Sequence, residues 1–229
     1  MIHSSKYLIL RDLDFFKSLD VRQIEQLANQ SEYEKIKKTE YLFKSGDTLS
    51  FVYILIKGSV KVGMPTSNGK ILLKEISYQN ELVGENFMSG LTSRREFAQA
   101  LEDIEFFKIP TPFFKSLLEN NPLLCQALTQ IFIQKLANLE SRMSNFVFKK
   151  AQNRIIEFLK DLAKIKGIKI GFDEILVHHG LSHKEIAFIT DTSRQTVARV
   201  LGELKRKNII HFSTRKPNKI LIRNAINLS

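Results

Sequence analysis

The spacing of hydrophobic and polar positions changes along the chain and divides it into segments with different predicted secondary structure. Residues 1–30 carry apolar side chains three positions apart, which predicts short helices. Residues 31–110 alternate short apolar runs with turn signals, and Asn68-Gly69 between two such runs is a strong hairpin signal. This middle segment is therefore expected to form a small antiparallel barrel or sandwich.

From Pro112 to about Lys166 the periodicity predicts helices, and one apolar stripe runs through this segment in steps of three and four residues. Such a stripe is heptad-like and suits a long helix that pairs with a second copy of itself. A helix buried in the core of one subunit would give a similar pattern. Cys125 lies on the stripe and is expected to be a small buried apolar side chain. The residues predicted at the dimer interface are Leu128, Phe132, Leu136, Leu139, Met143 and Phe146.

Residues 181–210 predict two short helices joined by a polar turn. Ser182, with Glu185 three residues later, has the pattern of a capping box at the start of the first helix. In the second helix the apolar positions Val197, Val200, Leu201 and Leu204 recur at helical spacing. The pattern is typical of a helix-turn-helix, although an ordinary helical hairpin with a solvated basic face remains the alternative.

The polar side chains of the second helix have the chemistry of base readers. Arg194, Gln195 and Arg199 lie off the apolar stripe, next to Ser193 and Thr196. Arginine can form two hydrogen bonds with guanine, and glutamine can do the same with adenine. These five residues are the predicted DNA-contacting set of the second helix.

Charge is distributed unevenly, which favours the DNA hypothesis. The chain has 35 Lys and Arg against 24 Asp and Glu, a net charge of +11. Residues 149–229 hold 17 basic and 7 acidic side chains, whereas residues 1–148 hold 18 and 17. A local basic excess around a helix-turn-helix is the electrostatic footprint of phosphate binding.

Two apolar segments near the C-terminus flank a basic turn that contains a proline. This arrangement predicts a wing, which is a hairpin whose tip reaches the phosphate backbone. Arg215 and Lys216 at the tip are the predicted phosphate contacts.

Composition and motifs exclude several classes of function. One cysteine rules out an internal disulfide and a multi-cysteine metal or iron–sulfur site, and the five histidines have no metal-ligand spacing. No nucleotide-binding, metalloprotease or serine-hydrolase motif is present, so we expect no catalytic residues and no metal. No apolar run is long enough for a membrane span or a secretory signal, and a cytoplasmic location is expected.

Several motifs follow one another along the chain: the glycines Gly46, Gly58 and Gly69 of the strand-rich segment, the Gly84-Glu85 pair, Arg94, the Asn121-Pro122 helix start and the segment from Ser193 to Arg199. Together they resemble the CRP/FNR family of bacterial transcription regulators, over essentially the full length of the chain. The resemblance implies an α+β protein: a cyclic-nucleotide-binding-like antiparallel β-roll, a long dimerisation helix and a winged helix-turn-helix. The implied boundaries are 1–120, 121–148 and 149–229.

The resemblance also assigns roles to single residues. Arg194 and Arg199 match the two base-reading arginines of the family, while Gln195 stands where the family often has a glutamate. Ser182, His183 and Lys184 match positions that face phosphates. These three would position the helix without specifying a sequence.

The implied ligand site departs from the cyclic-AMP-binding members. Gly84, Glu85 and Arg94 match, but Arg95-Glu96 replaces a Ser-Ala pair, and Leu139-Glu140 replaces the Thr-Ser pair that reads adenine. Glu96 would bring a negative charge near a cyclic phosphate. Gly84, Glu85, Arg94 and Arg95 are thus candidate ligand residues, with cyclic AMP doubtful and the effector unassigned. A surface ion-pair cluster is the alternative explanation for Arg94, Arg95 and Glu96.

The sequence therefore predicts a homodimeric transcription regulator that reads a palindromic site in double-stranded DNA. RNA polymerase is a further partner implied by the resemblance. Two rival hypotheses stay open: a cyclic-nucleotide-responsive module that acts on a protein partner, and a basic DNA-processing enzyme.

Overall fold

A computed structural model describes residues 2–68, 71–178, 180–212 and 219–223, with side chains from Lys6 onward. The chain forms two compact units, Met1–Ala137 and Asn138–Ser229. No helix in the described ranges is long and apolar enough to cross a membrane.

The first unit begins with helices α1 (Ile2–Arg11) and α2 (Val21–Gln30), with a short 3₁₀ turn between them. The Asp20 carboxylate accepts a hydrogen bond from the backbone N–H of Gln23, and the Gln23 side chain returns one to Asp20, so a capping box begins α2. The apolar positions of the predicted helical pattern are mostly buried, although Val21 is exposed.

In the described residues that follow, eight strands form two four-stranded antiparallel sheets with the orders β1-β8-β3-β6 and β2-β7-β4-β5. The predicted antiparallel β-roll is therefore confirmed. The strands are β1 (Glu32–Ile36), β2 (Tyr41–Phe43), β3 (Phe51–Lys57), β4 (Val60–Pro65), β5 (Ile71–Ser77), β6 (Leu82–Val83), β7 (Phe97–Ala100) and β8 (Ile104–Pro110).

The continuous apolar run of β3 has a structural reason. Tyr53 and Leu55 face a core shared by the two sheets. Val52 and Ile54 point the other way, into a second core with the N-terminal helices. Because side chains alternate along a strand and both faces are covered here, every position in the middle of β3 must be apolar.

The turn between β3 and β4 requires glycine. Gly58 has φ +83, and a Cβ atom there would lie 2.8 Å from Cγ2 of Ile104 and 2.9 Å from the carbonyl oxygen of Asp103. Both the backbone conformation and the close packing exclude a larger residue. The glycine turn signal is thus explained by sterics.

Two helices complete the path out of the β-roll: α3 (Thr111–Asn120) and the 27-residue α4 (Pro122–Phe148). The Asn121 side chain begins α4, because its Oδ1 accepts from the N–H of Leu124 at 2.9 Å. Its amide also donates to the carbonyl oxygen of Ser18 at 3.1 Å, which ties the helix start to the N-terminal segment.

Two expectations for α4 are wrong. Leu128 is only 3% exposed and packs in the core of its own subunit with Leu124, so it is not available to a partner subunit. Cys125 is exposed. The first turns of α4 are packed against the β-roll core, and this packing decides which positions are buried there.

The second unit contains α5 (Ala151–Lys166), α6 (His183–Ile189) and α7 (Arg194–Arg206) beside a four-stranded antiparallel sheet in the order β11-β12-β10-β9. Its core combines Ile155, Leu159 and Leu162 of α5 with the buried stripe of α7. The strands are β9 (Gly167–Lys169), β10 (Glu174–His178), β11 (Ile210–Phe212) and β12 (Lys219–Arg223).

Candidate nucleic-acid interface and ligand residues

Helix α7 has the two faces that its sequence predicts. Val197, Val200, Leu201 and Leu204 are all buried. The Ser193 hydroxyl caps the helix by accepting from the N–H of Thr196 at 3.0 Å. This cap fixes the first turn and so presents the side chains that follow Ser193.

The predicted base readers lie at the surface of α7. Arg194 and Gln195 are exposed in the first turn of α7, and Thr196 is half-buried beside them. Arg199 is exposed one turn later, but its Nη1 forms an ion pair with Glu203 at 2.6 Å. A guanine contact by Arg199 therefore requires this pair to open or to be shared, which the sequence pattern did not indicate.

The start of α6 carries the predicted phosphate-facing residues. Ser182 caps the helix by accepting from the N–H of Glu185, and the Glu185 carboxylate accepts from the N–H of Ser182 at 2.7 Å. The predicted capping box is thus present. His183 is half-buried and Lys184 is exposed, with its ammonium 5.9 Å from the centre of the Phe188 ring.

Of the predicted wing, the structure describes the two strands, β11 and β12. β11 and β12 pair in antiparallel register, with Ile210 opposite Ile222 and Phe212 opposite Ile220. The tip residues Arg215 and Lys216 lie outside the described residues, and their role remains a prediction.

Arg94 is not part of a surface cluster. Its side chain is 3% exposed, donates from Nη2 to the carbonyl oxygen of Phe51 at 2.5 Å and lies 3.8 Å over the Phe43 ring. Nε and Nη1 are buried without a hydrogen-bond partner among the described residues. Burial lowers the pKa of the Arg94 guanidinium.

The burial and contacts of the residues around Arg94 also contradict a surface ion-pair cluster. Glu96 is buried and forms an ion pair with Lys74 at 2.5 Å, while Arg95 is exposed. Gly84 packs directly on Arg94, since a Cβ atom at Gly84 would lie 2.8 Å from Nη1 of the guanidinium. The surface-cluster explanation is thus wrong for Arg94 and Glu96.

Glu85 is occupied by a lysine from the long helix. The Lys135 ammonium lies 2.5 Å from Oε1 of Glu85 and 2.7 Å from Oε1 of Glu75. Burial lowers the pKa of Lys135, but the charges of Glu85 and Glu75 and their hydrogen bonds outweigh it and raise the pKa above its ordinary value. The sequence does not indicate this role of Lys135, because no local pattern links position 135 to positions 75 and 85.

These contacts do not fit a cyclic nucleotide held as the family resemblance implies. A phosphate would have to reach the Arg94 guanidinium, which is covered by Gly84 and Phe43. A ribose hydroxyl would have to compete with the Lys135 ammonium for Glu85. In the described arrangement neither group is presented to a ligand. Among the described residues, no cluster of His, Cys, Asp and Glu could hold a metal ion.

The later part of the α4 stripe is exposed to solvent. Phe132, Leu136, Leu139, Met143 and Phe146 are between 38% and 63% exposed, in contrast to Leu128. Large apolar side chains in a row on one helix are unusual on a monomer surface and typical of an interface.

Two family models match the chain in succession. The model described as "Cyclic nucleotide-binding domain" matches residues 33–121, and the one described as "Crp-like helix-turn-helix domain" matches residues 153–228. The first falls on the β-roll and the second on the unit that contains α6 and α7.

Relatives match over most of their length. The global nitrogen regulator of Synechococcus elongatus is 26% identical over 198 residues, which cover 86% of this chain and 87% of the relative. The CRP-like cAMP-activated global transcriptional regulator of Mycobacterium tuberculosis is 22% identical over 204 residues, or 89% of this chain and 91% of the relative.

Solved structures share the fold. FixK2 from Bradyrhizobium japonicum has a TM-score of 0.75 at 19% identity and covers 86% of this chain and 95% of its own. The c-di-GMP-responsive global regulator CLP from Xanthomonas campestris has a TM-score of 0.74 at 20% identity, and the match covers 89% of this chain and 99% of CLP.

Proposed function

Because this chain belongs to the CRP/FNR family of bacterial transcription regulators, a family of DNA-binding regulators and not of enzymes, we propose that it acts as a homodimer on an inverted-repeat site. Each subunit would place the start of α7 in a major groove. Arg194, Gln195 and Arg199 would read bases, with Ser193 and Thr196 beside them. Ser182, His183, Lys184, Arg215 and Lys216 would contact phosphates.

One observation carries the DNA-reading proposal: a capped, amphipathic helix exposes Arg194 and Gln195 in its first turn while its opposite face is buried. That geometry is the one by which a recognition helix presents its N-terminal residues to base edges. The basic excess of residues 149–229 supplies the attraction to phosphates.

The exposed stripe of α4 supports the homodimer. Phe132, Leu136, Leu139, Met143 and Phe146 form the proposed subunit interface, without Leu128. Pairing these residues across two copies would remove apolar surface from water. Two recognition helices would then follow from twofold symmetry, which matches an inverted repeat in the DNA.

We also propose a division of labour along the chain: residues 1–120 as a sensor-like β-roll, 121–148 as the dimerisation helix and 149–229 as the DNA reader. RNA polymerase is the proposed protein partner and the cytoplasm the proposed location. The effector stays unassigned, since the names of similar proteins include different ligands, among them cAMP and c-di-GMP.

Selection of bound sequences from a random pool of duplex DNA tests the proposal. Recovery of inverted repeats is the expected result, and recovery of no shared sequence would contradict it. Calorimetry with cyclic AMP and cyclic GMP, run beside a duplex shift assay, separates this function from a nucleotide-responsive module that acts on a protein. We expect duplex binding without added nucleotide and no saturable nucleotide binding.

A further inference from the structure

The turn between α6 and α7 contains a residue in an unusual backbone conformation. Asp191 has φ +50, in the left-handed region that glycine adopts most easily. Aspartate is among the side chains that tolerate this region, because its short polar group can form local hydrogen bonds. Here, however, the carboxylate is directed to a distant part of the chain.

Arg142 binds the Asp191 carboxylate through two nitrogens of its guanidinium. Nε of Arg142 lies 2.9 Å from Oδ2, and Nη2 lies 2.7 Å from Oδ1. Nη2 also donates to the carbonyl oxygen of Phe188 at 2.8 Å. A two-point arginine–carboxylate pair fixes direction as well as distance. Both side chains are about three-quarters covered, so solvent screens the pair only in part.

A second arginine binds backbone carbonyl groups of the same turn. Arg154 donates from Nε to the carbonyl oxygen of Thr190 and from Nη2 to that of Asp191, both at 2.8 Å. Its Nη1 donates to the carbonyl oxygen of Lys149 at 2.6 Å, and its guanidinium lies 5.3 Å from the Phe146 ring centre. The turn is therefore joined to the place where α4 ends and α5 begins.

These contacts connect two parts of the molecule with different roles. Arg142 and Phe146 lie in the last turns of α4, and Phe146 belongs to the proposed dimer stripe. Asp191 stands three residues before Arg194, the first residue of α7. The contacts thus run from the dimer helix to the start of the recognition helix, within the unit Asn138–Ser229.

We propose that the Arg142–Asp191 pair is a positioning contact that sets the direction of the recognition helix relative to the end of α4. In the homodimer it would hold both recognition helices at the separation of successive major grooves on one face of DNA, about 34 Å. The inference rests on the proposed function, since it requires a dimer that reads two half-sites.

The proposal separates two kinds of DNA binding. A single half-site needs only one correctly folded recognition helix, and its affinity should not depend on the pair. An inverted repeat needs two helices in a fixed relation, and any freedom at the turn must be lost on binding. Loss of the pair should therefore weaken full-site binding selectively and relax the preference for one half-site spacing.

Fluorescence anisotropy on the full chain tests this with three duplexes: the selected inverted repeat, a single half-site, and repeats with one base pair added or removed. The variants are Arg142→Gln, Asp191→Asn and their combination. Asparagine also tolerates the left-handed region but carries no charge. Asp191→Gly relieves the backbone strain while it removes the pair, and so reports on the contact even if another variant folds poorly.

Arg223→Gln is the matched control, because Arg223 forms an arginine–carboxylate pair with Glu174 at 2.8 Å in the same unit, between β12 and β10. We expect each pair variant, and the combination no more than either alone, to lose about tenfold in full-site affinity. Half-site affinity should stay within about twofold of wild type, and the spacing variants should bind more nearly alike.

Three outcomes would overturn the inference: unchanged full-site affinity in Asp191→Gly, a parallel loss on half-site and full site, or additive effects in the combination. A parallel loss would show that the pair only supports the local fold. If the wild type itself does not prefer the repeat to the half-site, the proposed twofold reading fails instead, and this is visible before any variant is made.

Discussion

At the scale of single residues, Arg194 carries the proposed sequence reading. It is exposed at the start of α7 and, if it contacts a guanine, its truncation removes two hydrogen bonds to one base. We expect Arg194→Ala to weaken binding to the selected site by about 1–3 kcal/mol and to relax the preference at one base pair.

Arg206→Ala is the control for that experiment, because it removes the same charge from the other end of the same helix. Titration against the selected duplex and its single-base variants measures both quantities. Equal losses in the two variants, with base preference unchanged, would mean that Arg194 acts only through its charge.

Lys135 is the second residue whose removal has a defined consequence. Lys135→Met keeps most of the length of the unbranched side chain but leaves Glu85 and Glu75 without their shared cation. We expect a loss of about 1–3 kcal/mol in the free energy of unfolding, measured in urea. Lys115→Met, at an exposed position on α3, should cost much less.

The effect of Lys135 on stability also has a pH window. Its pKa in the folded protein is raised above the ordinary 10.5, so the stabilisation is complete below that pH and declines as the pH rises through the folded value. The difference between wild type and Lys135→Met should thus be constant near neutral pH. Adding Glu85→Gln to Lys135→Met should recover part of the loss, and no recovery would contradict the pairing.

The contacts of Arg94 and Lys135 could not be predicted from the sequence. The β-roll glycines and the recognition helix were predictable, because turns and helices depend on residues close in sequence. The burial of Arg94 depends on Phe43, Phe51 and Gly84, which lie on other parts of the chain. A charged side chain predicts exposure by default, and only tertiary contacts reverse that prediction.

At the scale of elements, the apolar stripe of α4 divides between the two explanations that its pattern allowed, burial in the subunit's own core and exposure to a partner. Leu124 and Leu128 are buried in the subunit's own core, whereas Leu136 and Leu139 are exposed further along the helix. Helical spacing predicts which side chains share a face but not what that face contacts. The point where the helix leaves the β-roll core decides it.

The exposed part of the stripe yields a prediction about assembly. Leu139→Glu would place a charge in the proposed interface, where burial without a partner is unfavourable. We expect a shift from dimer to monomer in sedimentation equilibrium and a loss of inverted-repeat binding. Gln130→Glu adds the same charge at an exposed position on another face of α4 and should leave the dimer intact. A dimeric Leu139→Glu protein would remove α4 as the interface.

The cap of α7 allows helix stability and DNA approach to be separated. Asp and Asn both replace Ser193 as N-caps, so Ser193→Asp and Ser193→Asn should keep similar melting temperatures. Only the aspartate adds a negative charge beside Arg194. We expect the aspartate variant to bind DNA about fivefold more weakly than the asparagine variant at low salt. Equal affinities would indicate that this end of the helix does not approach the duplex.

At the scale of the whole molecule, nearly all of the net positive charge lies in the part that carries the helix-turn-helix. Residues 149–229 have 17 basic and 7 acidic side chains, while the rest of the chain is close to neutral. The β-roll and the start of α4 instead hold their charges in internal pairs such as Glu85–Lys135 and Glu96–Lys74. Attraction to DNA therefore originates in one segment, and each subunit should bring its own set of phosphate contacts.

This distribution predicts a measurable difference in salt dependence. The affinity of a protein for DNA falls with salt in proportion to the number of phosphates it neutralises. A dimer that engages both half-sites neutralises two equivalent sets, so the slope of log affinity against log salt on the inverted repeat should be about twice that on a half-site. Titrations over a series of potassium chloride concentrations give both slopes. Equal slopes would mean that only one subunit contacts the DNA, because the charge of each recognition unit is too local to be shared across the two half-sites.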